Sequence, residues 1–219
     1  MTATLYSSSA GALAPTTTQV NPWRLLAQVW TRPRRVFETI AAGPGWLWAI
    51  PMGGALAFFY GRVFAAAFVG APVSAGALIG GLAGILLGWL LRALLLHLLA
   101  ASLGGRSDFG ALYRATTWAS FPLILRDAVQ VGYVAATGSL IAGPGLSGLV
   151  ANGVSAPSVW SVVLGRIDLY TIWYLALLVM TLQITAALTR GKATLAVALY
   201  SLASLAAGLF SLLLTSALG

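Results

Sequence analysis

Ionisable side chains interrupt otherwise apolar sequence at Arg62, Arg92, His97, Arg126, Asp127 and Asp168. At membrane depth each charge costs about 3 kcal/mol on insertion scales, so each calls for a partner or a water-filled cavity. Spacing suggests the partners. Arg92 and Asp127 each lie about 15 Å along a helix from a basic flank, at 1.5 Å rise per residue, which is near mid-bilayer and predicts that they pair. Arg62 and Asp168 fall toward the opposite side and form a second expected pair. Asp168 also adjoins Arg166 and a helix start, where it neutralises the one or caps the other. Such charges fit either a proton or ion path or a set of buried bridges that fixes helix register. His97 has no companion histidine, so no metal site is expected and the ring reads as a satisfied imidazole near one interface.

Searches for reactive constellations end short of chemistry. Gly145-Leu146-Ser147-Gly148 copies the nucleophile motif of intramembrane serine proteases, but no histidine follows His97 to serve as base. Asp127 and Asp168 fall at different depths, which prevents the shared proton of an aspartyl protease. No GxxxxGK[ST] loop occurs, and cysteine is absent. The expectation is therefore no catalytic residue, no cofactor and no metal.

The elements that must position these charges are membrane helices. Hydrophobic residues make up 59% of the chain and charged residues 7%, and mean hydropathy is +0.92, far from the roughly 25% charge of soluble domains. Apolar runs long enough to span a bilayer lie at about 46–69, 75–103, 117–141, 169–188 and 193–218. Arg24, Arg32, Arg34 and Arg35 precede the first, Arg106 and Arg114 follow the second, and Arg190 and Lys192 follow the fourth. All three clusters belong to one face, cytoplasmic by the positive-inside rule. The expected fold is an all-α, polytopic transmembrane helical bundle of about five spans, with the N-terminus cytoplasmic and the C-terminus outside, in the inner (plasma) membrane. The net charge of +8 has no solvated basic domain to carry it, so no nucleic acid is expected; it serves orientation and anionic headgroups.

Residues 1–20 read as a disordered cytoplasmic tail, 21–42 as an interfacial amphipathic helix region and 43–219 as the five-span domain. In the middle region Asn21 is the expected N-cap and Pro22 the first helical residue, with interruption near Pro33. Trp23, Leu26 and Trp30 make the membrane-facing stripe, and Arg34 and Arg35 the basic face. In the second span Gly76, Gly80, Gly84 and Gly88 recur every four residues, a straight groove for close backbone approach by a helix of this chain or of a partner subunit.

The span flanks, taken in order, resemble a bacterial member of the Yip family of five-span membrane proteins. The resemblance rests on Val29-Trp30-Thr31-Arg32-Pro33 with Val36-Phe37-Glu38-Thr39-Ile40, Leu103-Gly104-Gly105-Arg106 with Phe109, and Phe121-Pro122. It continues through Asp168-Leu169-Tyr170-Thr171-Ile172-Trp173 and Thr189-Arg190-Gly191-Lys192-Ala193. It implies the same five-span architecture and no catalytic residue. Eukaryotic relatives act in vesicle traffic with a longer cytoplasmic domain whose Asp-Leu-Tyr-Gly-Pro motif is missing here. Some bacterial relatives accompany ABC-type exporters, which implies an accessory role.

The expected function is that of a non-enzymatic accessory or assembly subunit of a larger membrane complex, with other membrane subunits and an anionic bilayer as partners. The alternatives are a small transporter or channel that uses the Arg92 and Asp127 pair, and a lipid-surface or membrane-shaping protein that uses the basic interfacial helix.

Overall fold

The computed structural model describes residues 21–68, 70, 73–138 and 159–218. The expected tail at 1–20 and the Ser147 motif lie outside the described residues. All regular structure among those described is helical: α1 (Pro22–Gln28), α2 (Pro33–Ala42), a 3₁₀ turn (Gly45–Trp48), α3 (Ala49–Phe68), α4 (Ala75–Ser102), α5 (Phe109–Ala119), α6 (Phe121–Thr137), α7 (Val159–Leu164), α8 (Leu169–Thr185) and α9 (Arg190–Leu218). Gly45–Phe64, Leu78–Ser102 and Arg190–Leu214 are long and apolar enough to cross a membrane, and Leu169–Thr185 is apolar but shorter.

Local chemistry explains where the helices begin and end. Asn21 Oδ1 accepts from the Trp23 amide at 3.0 Å with Pro22 in the first turn, as its residue type requires. Asp108 caps α5 through the Ala111 amide at 2.7 Å, and Asp168 caps α8 through the Thr171 amide at 2.6 Å. Gly138 closes α6 with φ +65°, a left-handed turn that glycine adopts without penalty.

The third span departs from its expected bounds of 117–141. Two helices occupy its place, starting at Phe109 and breaking at Ser120. Pro122 causes the break: it has no amide hydrogen to give the Trp118 carbonyl, so a continuous helix is unavailable and the chain restarts with Pro122 in the first turn of α6. In a hydrocarbon environment such a break persists only where protein surrounds it. Ser120 is accordingly buried.

The densest packing lies around α5. Leu112, Ala115, Trp118 and Ala119 are fully buried against Val36, Phe37 and Ile40 of α2, Leu96 and Ala100 of α4, Leu178 and Leu182 of α8, and Ala193 and Ala196 of α9. The Trp118 indole donates to the Leu47 carbonyl at 2.9 Å, which satisfies its one polar atom inside an apolar core. The apolar face of α2 is spent on protein rather than lipid, and α1 buries Leu25 and Val29, not the Trp23 stripe.

Hydrogen bonds to helix-end carbonyls gather the basic flanks at one end of the bundle. Arg114 donates to Ile40 O (3.3 Å) and Ala41 O (2.8 Å) at the close of α2. Lys192 donates to Leu103 O at 2.8 Å, just past the end of α4, and the Arg106 amide reaches Ala186 O at 3.1 Å, just past α8. Cations here meet both unpaired carbonyls and the negative ends of helix dipoles. Gly104 turns the chain with φ +83°. A Cβ on Gly105 would stand 3.0 Å from both the Ala100 and Ala186 carbonyl oxygens, so this corner accepts only glycine comfortably. Toward the other end the first half of α4 and the last half of α9 expose Ile79, Leu87, Phe210 and Leu213.

Candidate functional site

Where the helices diverge beyond this core, the interior becomes polar. Arg62 of α3 pairs with Asp127 of α6 at 3.1 Å, and Arg126 of α6 pairs with Asp168 at 3.0 Å, with Arg126 Nε 3.9 Å from Asp127. The four make one alternating chain of charge across α3, α6 and the start of α8. Asp168 thus does double duty, as cap and as counter-ion.

Both expected pairings are corrected. Arg92 meets no carboxylate among the described residues, and neither it and Asp127 nor Arg62 and Asp168 form a pair. Depth along the bilayer normal was estimated from residue counts, which say nothing about the direction in which a helix face points. α3 packs alongside α6 and brings Arg62 to Asp127. Neighbouring Arg126 and Asp127 point about 100° apart around α6 and so serve different partners.

Arg92 is held another way. Its Nη1 donates to Ser120 Oγ at 2.5 Å, and the guanidinium lies 5.2 Å from the Tyr174 ring centroid and 6.0 Å from that of Trp89, within range of cation–π attraction. Ser120 Oγ in turn donates to Thr116 O at 3.3 Å. The Tyr174 hydroxyl donates to the Tyr200 hydroxyl at 3.2 Å. A cavity of about 360 Å³ opens beside these groups, lined by Arg62, Arg92, Arg126, Arg166, Tyr174 and Tyr200 among others. A smaller one of about 180 Å³ adjoins Arg92 and Arg126 on the side of Trp89 and Ser120. Ser120, Tyr174 and Tyr200 were not singled out by sequence reading. The Phe121-Pro122 break was the available signal for Ser120; a tyrosine in an apolar helix gives none until its neighbours are known.

His97 is remote from this cluster in its bonding, with Nδ1 2.7 Å from Ser107 Oγ and its ring edge-on to Phe109. Among the described residues no group of three or more metal-ligating side chains occurs.

The glycine stripe of α4 divides sharply from its neighbour. A Cβ added at Gly80, Gly84 or Gly88 meets nothing within 4 Å among the described residues, and one at Gly76 meets only Ser74 Oγ at 3.7 Å. Gly81, one step off the stripe, lies against the Phe59 ring of α3. The α4 face turned to α3 carries Gly81, Ile85 and Trp89, and the stripe runs alongside it with its Cβ positions open. Of the interfacial residues, Trp23 is 76% exposed, Leu26 packs against the core, and Trp30 contacts Phe121 and Trp173 at 5.9 and 4.4 Å between ring centroids. Arg34 bonds Glu38 at 3.1 Å, and Arg34 and Arg35 are both exposed.

The Yip1 domain, as a sequence family, matches residues 27–212, from the last turn of α1 into α9. The chain belongs to the Yip1 family. The matched stretch contains the whole charge cluster, the Gly104-Gly105 corner and the α4 stripe. Yip1 proteins are membrane proteins not known as enzymes. No curated protein and no solved structure matches the chain.

Proposed function

We propose that this Yip1 protein is a non-enzymatic accessory or assembly subunit that works by packing its helices against other membrane-spanning proteins. The observation that carries this reading is the open stripe of Gly80, Gly84 and Gly88, where an added Cβ would meet nothing within 4 Å beyond its own stretch of helix among the described residues. In lipid there is little hydrophobic drive between helices, so close backbone approach at small residues is the main source of association. The resemblance of the span flanks adds a class of partner, an ABC-type exporter.

The plasma membrane is the proposed location, with the end that carries Arg106, Arg114 and Lys192 on the cytoplasmic side by the positive-inside rule. Exposed Arg32, Arg34 and Arg35 would contact anionic headgroups there, while α2 itself is braced by the protein core. The transport alternative loses the motive it drew from an Arg92–Asp127 pair, since each residue has other partners.

Purification of the tagged protein from native membranes in a mild detergent tests the proposal. A membrane protein should accompany it in fixed stoichiometry and be lost from a Gly84→Leu variant that remains folded. Recovery of the protein alone would defeat the reading.

A further inference from the structure

Two positive charges in the polar centre have no acidic side chain among the described residues to balance them. Arg62, Arg92, Arg126 and Arg166 line one cavity of about 360 Å³, and only Asp127 and Asp168 stand against them. The sequence has 4 acidic residues in all. Glu38 is bonded to Arg34 and Asp108 caps α5 at the basic end, so no acidic side chain is left to neutralise Arg92 or Arg166. Arg166 is instead bonded to Ser204 Oγ at 2.8 Å, and Arg92 to Ser120 Oγ. The Nε atoms of Arg92 and Arg126 are buried and have no hydrogen-bond partner among the described residues.

A buried guanidinium without a carboxylate is expensive, and unsatisfied N–H donors add to the cost. Structural bridges explain Arg62 and Arg126 but not this surplus. The arrangement has a sense of direction too: Arg62 and Arg166 are exposed, whereas Arg92 and Arg126 are withdrawn between α4, α6 and α8. Guanidinium forks match tetrahedral and planar oxyanions in geometry, and they outcompete ammonium groups where several donors must converge. The volume falls in the range of small-ligand cavities.

We propose that this cavity binds a phosphate-class oxyanion, with Arg92 as the buried anchor and Arg166 and Arg62 at the mouth. A doubly charged phosphate group would balance the excess of two positive charges. The same chemistry is offered by a free phosphate and by the phosphomonoester headgroup of a lipid that leans in between helices. The site draws on the side chains of Arg62, Arg92, Arg126 and Arg166 and not on the α4 glycines, so its test reads apart from partner binding.

The test uses the full chain in nanodiscs of neutral phosphatidylcholine. Thermal unfolding is followed with inorganic phosphate added, and separately with phosphatidic acid included in the disc. Arg92→Gln, which retains a donor toward Ser120, and Arg166→Gln are compared with Arg24→Gln on α1 as control. Stabilisation by phosphate that weakens at least tenfold in concentration dependence for both cavity variants, and not for the control, supports a free oxyanion. Stabilisation only by phosphatidic acid, with the same dependence on variants, supports the site with a lipid headgroup as occupant. Stabilisation by neither probe, or equal stabilisation of wild type and both cavity variants, overturns the proposal.

Discussion

Asp168→Asn isolates the electrostatic part of the link between α6 and α8. Asn caps a helix about as well as Asp, so the bond to the Thr171 amide survives while the charge opposite Arg126 is removed. Breaking a fully buried pair costs about 3–5 kcal/mol. Arg126 and Asp168 keep 26% and 11% of their side-chain surface exposed, so screening reduces the expected loss to about 2 kcal/mol. Asp168→Ala should lose about 1 kcal/mol more, the usual worth of a cap. A double-mutant cycle with Arg126→Gln, read from reversible unfolding in mixed micelles, should return a coupling of at least about 1 kcal/mol between these residues. The cycle of Asp168→Asn with Arg62→Gln should return a smaller coupling, because Arg62 reaches Asp168 only through Asp127 and Arg126. Equal or larger coupling for Arg62 with Asp168 would restore the pairing inferred from depth alone and refute the observed network.

Gly105→Ala should destabilise the protein by about 1–3 kcal/mol in the same assay, because two carbonyl oxygens 3.0 Å from the new Cβ belong to backbone and cannot swing aside. Arg114→Gln should cost about 1–3 kcal/mol through the loss of charged bonds to Ile40 O and Ala41 O, and hydrogen exchange at the close of α2 should rise. Trp118→Phe removes the bond to Leu47 O and shrinks a fully buried side chain, so lost bond and cavity together should cost about 2–4 kcal/mol by thermal unfolding.

Much of the scaffold is legible because membrane sequences are governed by few terms. Apolar length marked the helices, and the basic residues that marked one face are the same ones whose side chains and amides close that end through Arg114, Lys192 and Arg106. Asn21 and Pro22 announced α1 by cap chemistry alone. The failures share a cause. Residue counting gives position along a helix but not rotation about it, so Arg92, Asp127, Arg62 and Asp168 were assigned by depth and given the wrong partners. Amphipathicity likewise does not say which apolar solvent receives a face: Val36, Phe37 and Ile40 have the spacing of a lipid-facing stripe and are buried in protein. Phe121-Pro122 was available as a break signal, but its consequence, Ser120 placed to accept Arg92, depends on α4 lying opposite.

The glycine stripe offers the most direct test of the accessory role, and the absence of cysteine makes it clean. Gly84→Cys, made in the full chain and expressed in its own membranes, carries a lone thiol on the open face of α4. Cross-linking with a short bifunctional reagent, beside a Gly53→Cys control on α3, is the measurement to make. The account predicts a single cross-linked membrane protein at Gly84 in near-stoichiometric yield and little at Gly53. No cross-link at Gly84, or the same products from both positions, would contradict it.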